Sequence, residues 1–107
     1  MKTIADFKRA LQIGKKVHAI NHMTFAGRDE KANAVYTDKD LGVREVSIVQ
    51  SNSFAFKTVR ATGEVVNSWC NYPKSKEIVF NHEKSITIFE EQRNGKMIPI
   101  LTYTFID

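Results

Sequence analysis

The chain has 107 residues, of which 42% are hydrophobic and 26% are charged, a composition typical of one folded domain and unlike that of a disordered segment. No apolar run approaches the roughly 20 residues of a membrane-crossing helix. The first eleven residues interleave charged and apolar side chains, which is unlike a signal peptide. With Cys70 as the single cysteine, we predict one cytoplasmic domain, residues 1–107, in a reducing interior.

The net charge of +4 arises in residues 1–20, which carry five lysine and arginine residues against Asp6 alone. A basic N-terminal patch favours anionic partners, either nucleic acid phosphates or an acidic protein surface. The alternative is a solvated helix face that is charged for solubility.

Residues 3–13 (TIADFKRALQI) are predicted to form a short amphipathic helix, because Ile4, Phe7 and Leu11 fall on one helical face. Thr3 and Asp6 have the spacing of a capping box, and Gly14 supplies the C-terminal stop.

The chain after Gly14 has the alternation and turn signals of strands. Asn94-Gly95 predicts a type I′ hairpin turn, and Pro99 predicts that the last strand lies at a sheet edge, at least locally, where it would support a dimer. The polar segment 27–33 is predicted to be a loop, and residues 34–42 an extended piece that ends in a turn. The other predicted strands span residues 16–25, 43–50, 53–59, 64–72, 77–81, 85–91 and 96–106.

The predicted fold class is α+β, with the N-terminal helix packed on an antiparallel sheet of about six or seven strands. We expect this sheet to be curled, or closed into a small barrel of the OB-like or SH3-like kind.

Catalytic signals are few, since the chain contains no Gly-rich phosphate loop and no GxSxG, HExxH or CxxC motif. A nucleophilic cysteine needs a neighbouring base, and the sequence requires none beside Cys70. We therefore predict that Cys70 is buried and inert, and that the protein is not an enzyme.

Three histidines, His18, His22 and His82, are the candidate metal ligands, with zinc as the candidate ion. On a straight strand His18 and His22 share a face but lie about 13 Å apart, too far for one zinc ion. On a helical segment they would lie within about 6 Å of each other and would form a bidentate clamp. Ordinary strand histidines, with no cofactor, are the favoured interpretation.

The aromatic residues have two interpretations. Phe54 and Phe56 lie next to Lys57 and Arg60, as on a surface that binds single-stranded nucleic acid. The favoured interpretation places both phenylalanines in the core, because sheet faces alternate in this way for packing alone. Trp69 and the pair Tyr72-Pro73 fit either an exposed recognition site or a core anchor.

The segments VREVSIVQSNSFAFKT, SWCNYPKSKEIVF and SITIFEE resemble small proteins encoded by phages and mobile elements of Gram-positive bacteria. That type shows a V-x-x-V-Q-S/T-N-x-F strand pair, an S-W-x-x-x-P-K-A turn and a T-I-Y/F strand. The matching residues are Val46, Val49, Gln50, Asn52, Phe54, Ser68, Trp69, Pro73, Lys74, Ile88 and Phe89.

This class includes anti-CRISPR proteins, so the resemblance implies a stoichiometric inhibitor of a Cas9-type nuclease that blocks guide loading, target-DNA loading or nuclease activation. Many such inhibitors imitate DNA with acidic surfaces, whereas this chain is basic, which favours an acidic protein surface or guide RNA as the contact. The alternative is a basic nucleic-acid-binding β-barrel, and we expect a monomer or a dimer in either case. The predicted partner-binding residues are Lys8, Arg9, Lys15, Lys16, Arg28 and Lys31.

Overall fold

The computed structural model describes residues 1–106, which form one α-helix, one 3-10 turn and a seven-stranded antiparallel sheet. The elements are α1 (Ile4–Ala10), β1 (Lys16–Arg28), β2 (Ala34–Val49), β3 (Ser53–Val59), β4 (Val65–Asn71), the 3-10 turn (Ser75–Glu77), β5 (Ile78–His82), β6 (Ser85–Glu91) and β7 (Met97–Ile106). The sheet order is β4-β3-β2-β1-β7-β6-β5. The predicted fold class is confirmed, but the sheet is not closed, since β4 and β5 form its two edges. The OB-like or SH3-like barrel is therefore wrong.

Helix α1 begins with the predicted capping box. The backbone N–H of Asp6 donates to Thr3 Oγ1 over 3.1 Å, and the Asp6 carboxylate accepts from the backbone N–H of Thr3 over 3.2 Å. The helix ends at Ala10, earlier than predicted, because Leu11 has an extended backbone that places its side chain in the core at 2% exposure. Gly14, with φ of 91°, then turns the chain into β1.

Phe7 is the residue through which α1 packs on the sheet. It is fully buried, and its ring centre lies 6.0 Å from that of Phe54 on β3 and 6.0 Å from that of Phe105 on β7. We call the sheet face that α1 covers the concave face and the opposite one the outer face. The core on the concave face comprises Phe7, Leu11, Val17, Ala19, Val46, Phe54, Phe56, Ile78, Ile86, Tyr103 and Phe105.

The sheet is strongly curled. The hydroxyl of Tyr103 on β7 lies 3.8 Å from Cys70 Sγ on β4, and the Tyr103 ring centre lies 5.5 Å from that of Phe56 on β3. In the sheet order three strands separate β7 from β4, which in a flat sheet would place them about 19 Å apart. Curvature alone brings these side chains together, so the predicted curled sheet is confirmed.

Strands β1 and β2 continue beyond the sheet as a two-stranded arm, which we define as residues 23–37. The pairing of β1 with β7 ends at Asn21↔Leu101, whereas its pairing with β2 continues to Arg28↔Ala34. The loop at the arm tip is closed by Asp29, whose carboxylate accepts from the backbone N–H groups of Lys31 and Asn33, each over 2.9 Å.

The turn predicted near residue 42 is wrong, because β2 runs without interruption from residue 34 to residue 49. A β-bulge replaces the turn: Ala19 pairs with Gly42 and Ile20 pairs with Asp40, so Leu41 is the extra residue. Gly42 has φ of 75°, a conformation that glycine adopts without steric cost.

Two further predictions concern the turn before β7 and the edge at Pro99. Asn94-Gly95 does connect β6 and β7, but only Gly95 has a positive φ, at 81°, so the turn is not of type I′. Strand β7 lies between β1 and β6 in the sheet order, so it is not an edge strand along its whole length. At Pro99 the predicted local edge is confirmed, because the ladder to β1 ends at Leu101 and Pro99 pairs only with Phe89 of β6.

We expect the substitution Phe7→Ala to reduce the free energy of unfolding by about 3–5 kcal/mol, because it leaves a cavity between α1 and the sheet. Phe25→Ala is the matched control, since Phe25 is 58% exposed on the arm, and its cost should stay below about 1 kcal/mol. Urea unfolding followed by circular dichroism measures both values. Equal losses of unfolding free energy in the two variants would contradict the role of Phe7 as the residue that packs α1 on the sheet.

Candidate functional site

The six predicted partner-binding residues lie on different parts of the protein surface. Lys8 holds its ammonium group 4.7 Å from the centre of the Tyr72 ring, and Arg9 pairs with the Asp6 carboxylate. Lys15 lies in the turn after α1, where its carbonyl accepts from the backbone N–H of Val46 over 2.9 Å. These three residues are therefore close to α1, and the side chains of Lys8 and Arg9 are engaged by neighbours.

Lys16, Arg28 and Lys31 lie elsewhere. Lys16 is on the outer face beside Glu45, whose pKa is lowered mainly by the hydrogen bond from Lys57 and in small part by the charge of Lys16. Arg28 and Lys31 belong to the arm. The structure therefore does not bring the six predicted partner-binding residues together on one surface.

His18 and His22 lie on the outer face of β1, and each has a carboxylate partner. His18 Nε2 is 2.6 Å from Asp40 Oδ1, and His22 Nδ1 is 2.7 Å from Asp38 Oδ1. The segment is a strand, as the favoured interpretation predicted. Both aspartates come from β2, so the pairs tie the two strands together.

His82 is placed apart from the other two histidines. It ends β5, accepts from the backbone N–H of Lys84 over 3.2 Å, and lines a cleft beside Asp6 and Arg9 of α1. Within residues 1–106 no three histidine, cysteine or acidic side chains are grouped closely enough to hold a metal ion. A bound zinc, the less favoured alternative, stays a hypothesis that rests on sequence spacing alone.

A chain of hydrogen bonds that no sequence pattern predicts crosses the outer face. His22 Nε2 lies 2.7 Å from Thr102 Oγ1 on β7, which lies 2.9 Å from Thr87 Oγ1 on β6. Asn81 on β5 then donates to Thr87 over 2.8 Å. Together with the pair of His22 and Asp38, these bonds link five neighbouring strands through side chains.

The order of Asp38, His22 and Thr102 matches that of an orienting carboxylate, a base and a hydroxyl nucleophile. Acyl transfer also needs N–H donors that converge on the developing oxyanion. Thr102 lies inside β7, which is paired with β1 on one side and with β6 on the other. The backbone N–H groups around Thr102 are therefore used in strand pairing and do not serve as oxyanion donors. The arrangement is best explained as a link between strands.

Cys70 is half-buried on the concave face of β4, beside the Tyr103 hydroxyl. Burial is the main influence on the Cys70 thiol and raises its pKa, with a smaller opposing effect of the hydrogen bond to Tyr103. A raised pKa leaves less thiolate at neutral pH, which is the opposite of what a nucleophile requires.

The structure separates the two interpretations of the aromatic residues. Phe54 and Phe56 are 0% and 2% exposed, which confirms that they belong to the core. The Tyr72 ring packs against Phe7 and Phe54, with ring centres 6.3 Å and 5.1 Å away. Trp69 is 51% exposed on the outer face of the edge strand β4 and is therefore a surface residue.

The arm carries an exposed aromatic pair that sequence reasoning missed. Phe25 and Tyr36 are 58% and 48% exposed, and their ring centres lie 6.4 Å apart. The Arg28 guanidinium carbon lies 5.9 Å from the centre of the Phe25 ring, while Arg28 Nη1 donates to the carbonyl of Ala32 over 3.0 Å. We call Phe25, Arg28 and Tyr36 the arm cluster.

Comparisons with protein-family models, with curated proteins and with solved structures found no match. Among residues 1–106, no helix is long and apolar enough to span a membrane.

We expect iodoacetamide to alkylate Cys70 more slowly in the folded protein than in the urea-unfolded chain at the same pH, because burial raises the pKa of the thiol and so lowers the thiolate fraction. Mass spectrometry of timed samples measures both rates. An equal rate in the two states would contradict the effect of burial, and a folded-state rate above the unfolded rate would indicate an activated cysteine and would support an enzyme.

The pKa of Asp40 is lowered first by the backbone N–H of Gly42 and then by the hydrogen bond with His18. A lowered folded-state pKa means that ionised Asp40 stabilises the fold above its unfolded pKa of about 3.9 and that this contribution disappears at more acidic pH. Wild type should therefore unfold at a higher urea concentration than Asp40→Asn at pH 7. The difference between the two unfolding midpoints should become smaller toward about pH 2.5.

The control for this comparison is Glu30→Gln in the loop at the arm tip, which we expect to match wild type at pH 7. A gap between wild type and Asp40→Asn that stays constant across the acidic range would contradict the assigned role of the ionised carboxylate.

Proposed function

We propose that the chain is a non-enzymatic binding protein that attaches to a partner protein through the arm. The observation that carries this proposal is the arm cluster, in which two exposed aromatic rings are accompanied by an arginine. Tyrosine, tryptophan and arginine are enriched among the residues that dominate binding energy at protein interfaces, and phenylalanine is enriched in the interfaces themselves.

The arm is organised before any partner binds. Its strands are paired as far as Arg28↔Ala34, and the Asp29 carboxylate closes the loop at its tip. Binding by an ordered hairpin loses less conformational entropy than binding by a flexible loop. The arm geometry therefore supports insertion into a recess of a partner.

The charge of the arm favours a protein over nucleic acid as the partner. Residues 23–37 contain two cations, Arg28 and Lys31, and two anions, Asp29 and Glu30, so the arm has no net charge. A protein surface that binds nucleic acid needs an excess of cations, because contacts with the phosphates supply most of the affinity. The alternative nucleic-acid-binding function also relied on Phe54 and Phe56, which are buried.

The partner class that we propose is a Cas9-type CRISPR effector nuclease in the cytoplasm of a bacterial host. This part of the proposal rests on the resemblance to small phage and mobile-element proteins. The chain would then act as a stoichiometric inhibitor that blocks guide loading, target-DNA loading or nuclease activation.

We expect the wild-type protein to co-purify with a Cas9-family nuclease and to reduce DNA cleavage at about equimolar ratio. The double substitution of Phe25 and Tyr36 by alanine should weaken the complex by more than about tenfold, because it removes both exposed rings. Trp69→Ala is the matched control, since it removes an exposed aromatic ring from a different surface. Titration calorimetry and a cleavage assay give the two readouts.

The outcomes separate the parts of the proposal. Absence of a complex together with full cleavage would contradict the partner class. A complex unaffected by loss of both rings would contradict the arm as the binding site. Binding to DNA or RNA that falls steeply with salt concentration would support the nucleic-acid-binding alternative.

A further inference from the structure

A small cavity opens on the concave face, away from the arm. Its volume is about 160 Å³, and it is lined by residues of β1, β2, β3, β4 and β7. Its floor consists of Ala19, Phe56 and Tyr103, each at most 3% exposed. The half-buried residues Leu41, Arg44, Ser68, Cys70 and Leu101 form the rest of its lining, and these connect it to solvent.

Arg44 is the charged residue of this cavity. Its Nη1 atom lies 3.5 Å from Thr58 Oγ1, which is a long hydrogen bond, and within residues 1–106 no carboxylate oxygen lies within 4.0 Å of its guanidinium. A half-buried cation without a counter-ion attracts an anion more strongly than a cation in open water does. Most donors of this guanidinium are therefore available to an anionic ligand.

A hydroxyl group also lines the cavity. Ser68 Oγ lies 2.7 Å from Thr58 Oγ1, and either hydroxyl can be the donor of this hydrogen bond. When Thr58 donates, the hydroxyl proton of Ser68 is available to a ligand. Arg44 thus offers charged donors to a carboxylate, and Ser68 offers a hydroxyl donor in that arrangement of the pair.

The remaining lining selects against a purely inorganic anion. Leu41, Leu101, Ala19 and the Phe56 ring supply an apolar surface that sulfate or phosphate would leave unfilled. A cavity of about 150 Å³ is known to hold benzene, so the available space suits an apolar body of that size.

We propose that this cavity binds a small organic carboxylate, with Arg44 and Ser68 holding the carboxylate and the two leucines contacting an apolar body about the size of a benzene ring. The site is distinct from the arm cluster, and the proposal does not depend on the partner of the arm.

The test titrates the full chain with benzoate and with hexanoate, at constant ionic strength, and follows backbone amide and leucine methyl signals by NMR. Both acids should give saturable shifts centred on Leu41, Arg44 and Leu101. Benzamide, which has the same shape as benzoate without its charge, should bind at least about tenfold more weakly, because it loses the charge-assisted hydrogen bond.

Arg44→Met keeps the apolar stem and should weaken benzoate binding by about tenfold or more. Arg60→Met is the matched control, because the Arg60 side chain is 61% exposed and pairs with Glu64 outside the cavity. Absence of saturable shifts with both acids, equal binding of benzamide, or unchanged affinity in Arg44→Met would overturn the proposal. The comparison of acid with amide uses the unaltered chain, so it stays decisive if a variant fails to fold.

Discussion

The burial of Phe7 between the two halves of the sheet is the contact on which the rest of the structure depends. Its ring meets Phe54 on β3 and Phe105 on β7, which lie on opposite sides of the central pair β1 and β2. An open sheet of seven strands has no edge-to-edge ladder to maintain its curvature. The apolar contacts around Phe7 maintain the curvature instead, since flattening the sheet would expose rings that are almost completely buried.

The two faces of the sheet are stabilised by different interactions. The concave face is an aromatic core, in which Tyr103 reaches Phe56 across the curl. The outer face instead carries hydrogen bonds between side chains of adjacent strands, among them those of His22 with Asp38 and Thr102. Such pairs are half-exposed and individually weak, but they favour one register over its neighbours, because a one-residue shift would move every partner to the opposite face.

The sequence predicted several features that are determined locally, although it predicted the wrong type for the Asn94-Gly95 turn. The capping box of Thr3 and Asp6 spans four consecutive residues, and the core position of Phe54 follows from strand alternation. The arm could not be predicted, because its existence depends on where β7 stops pairing with β1, at Leu101. His18 and Asp40 are 22 residues apart in the chain, so their contact depends on a bulge that the sequence presents as an ordinary turn.

That bulge connects the two proposed binding sites physically. A β-bulge increases the local twist and bends its strand, and the bulge at Leu41 lies where β2 passes from the sheet into the arm. The additional residue also turns Leu41 toward the cavity on the concave face, where it lies near Arg44 of the same strand. Gly42, with its positive φ, permits this conformation. The bulge at Leu41 therefore contributes the apolar side of the cavity around Arg44. Together with the register shifts between Asn21 and Thr24 and between Phe25 and Gly27, it bends the two strands that carry the arm cluster.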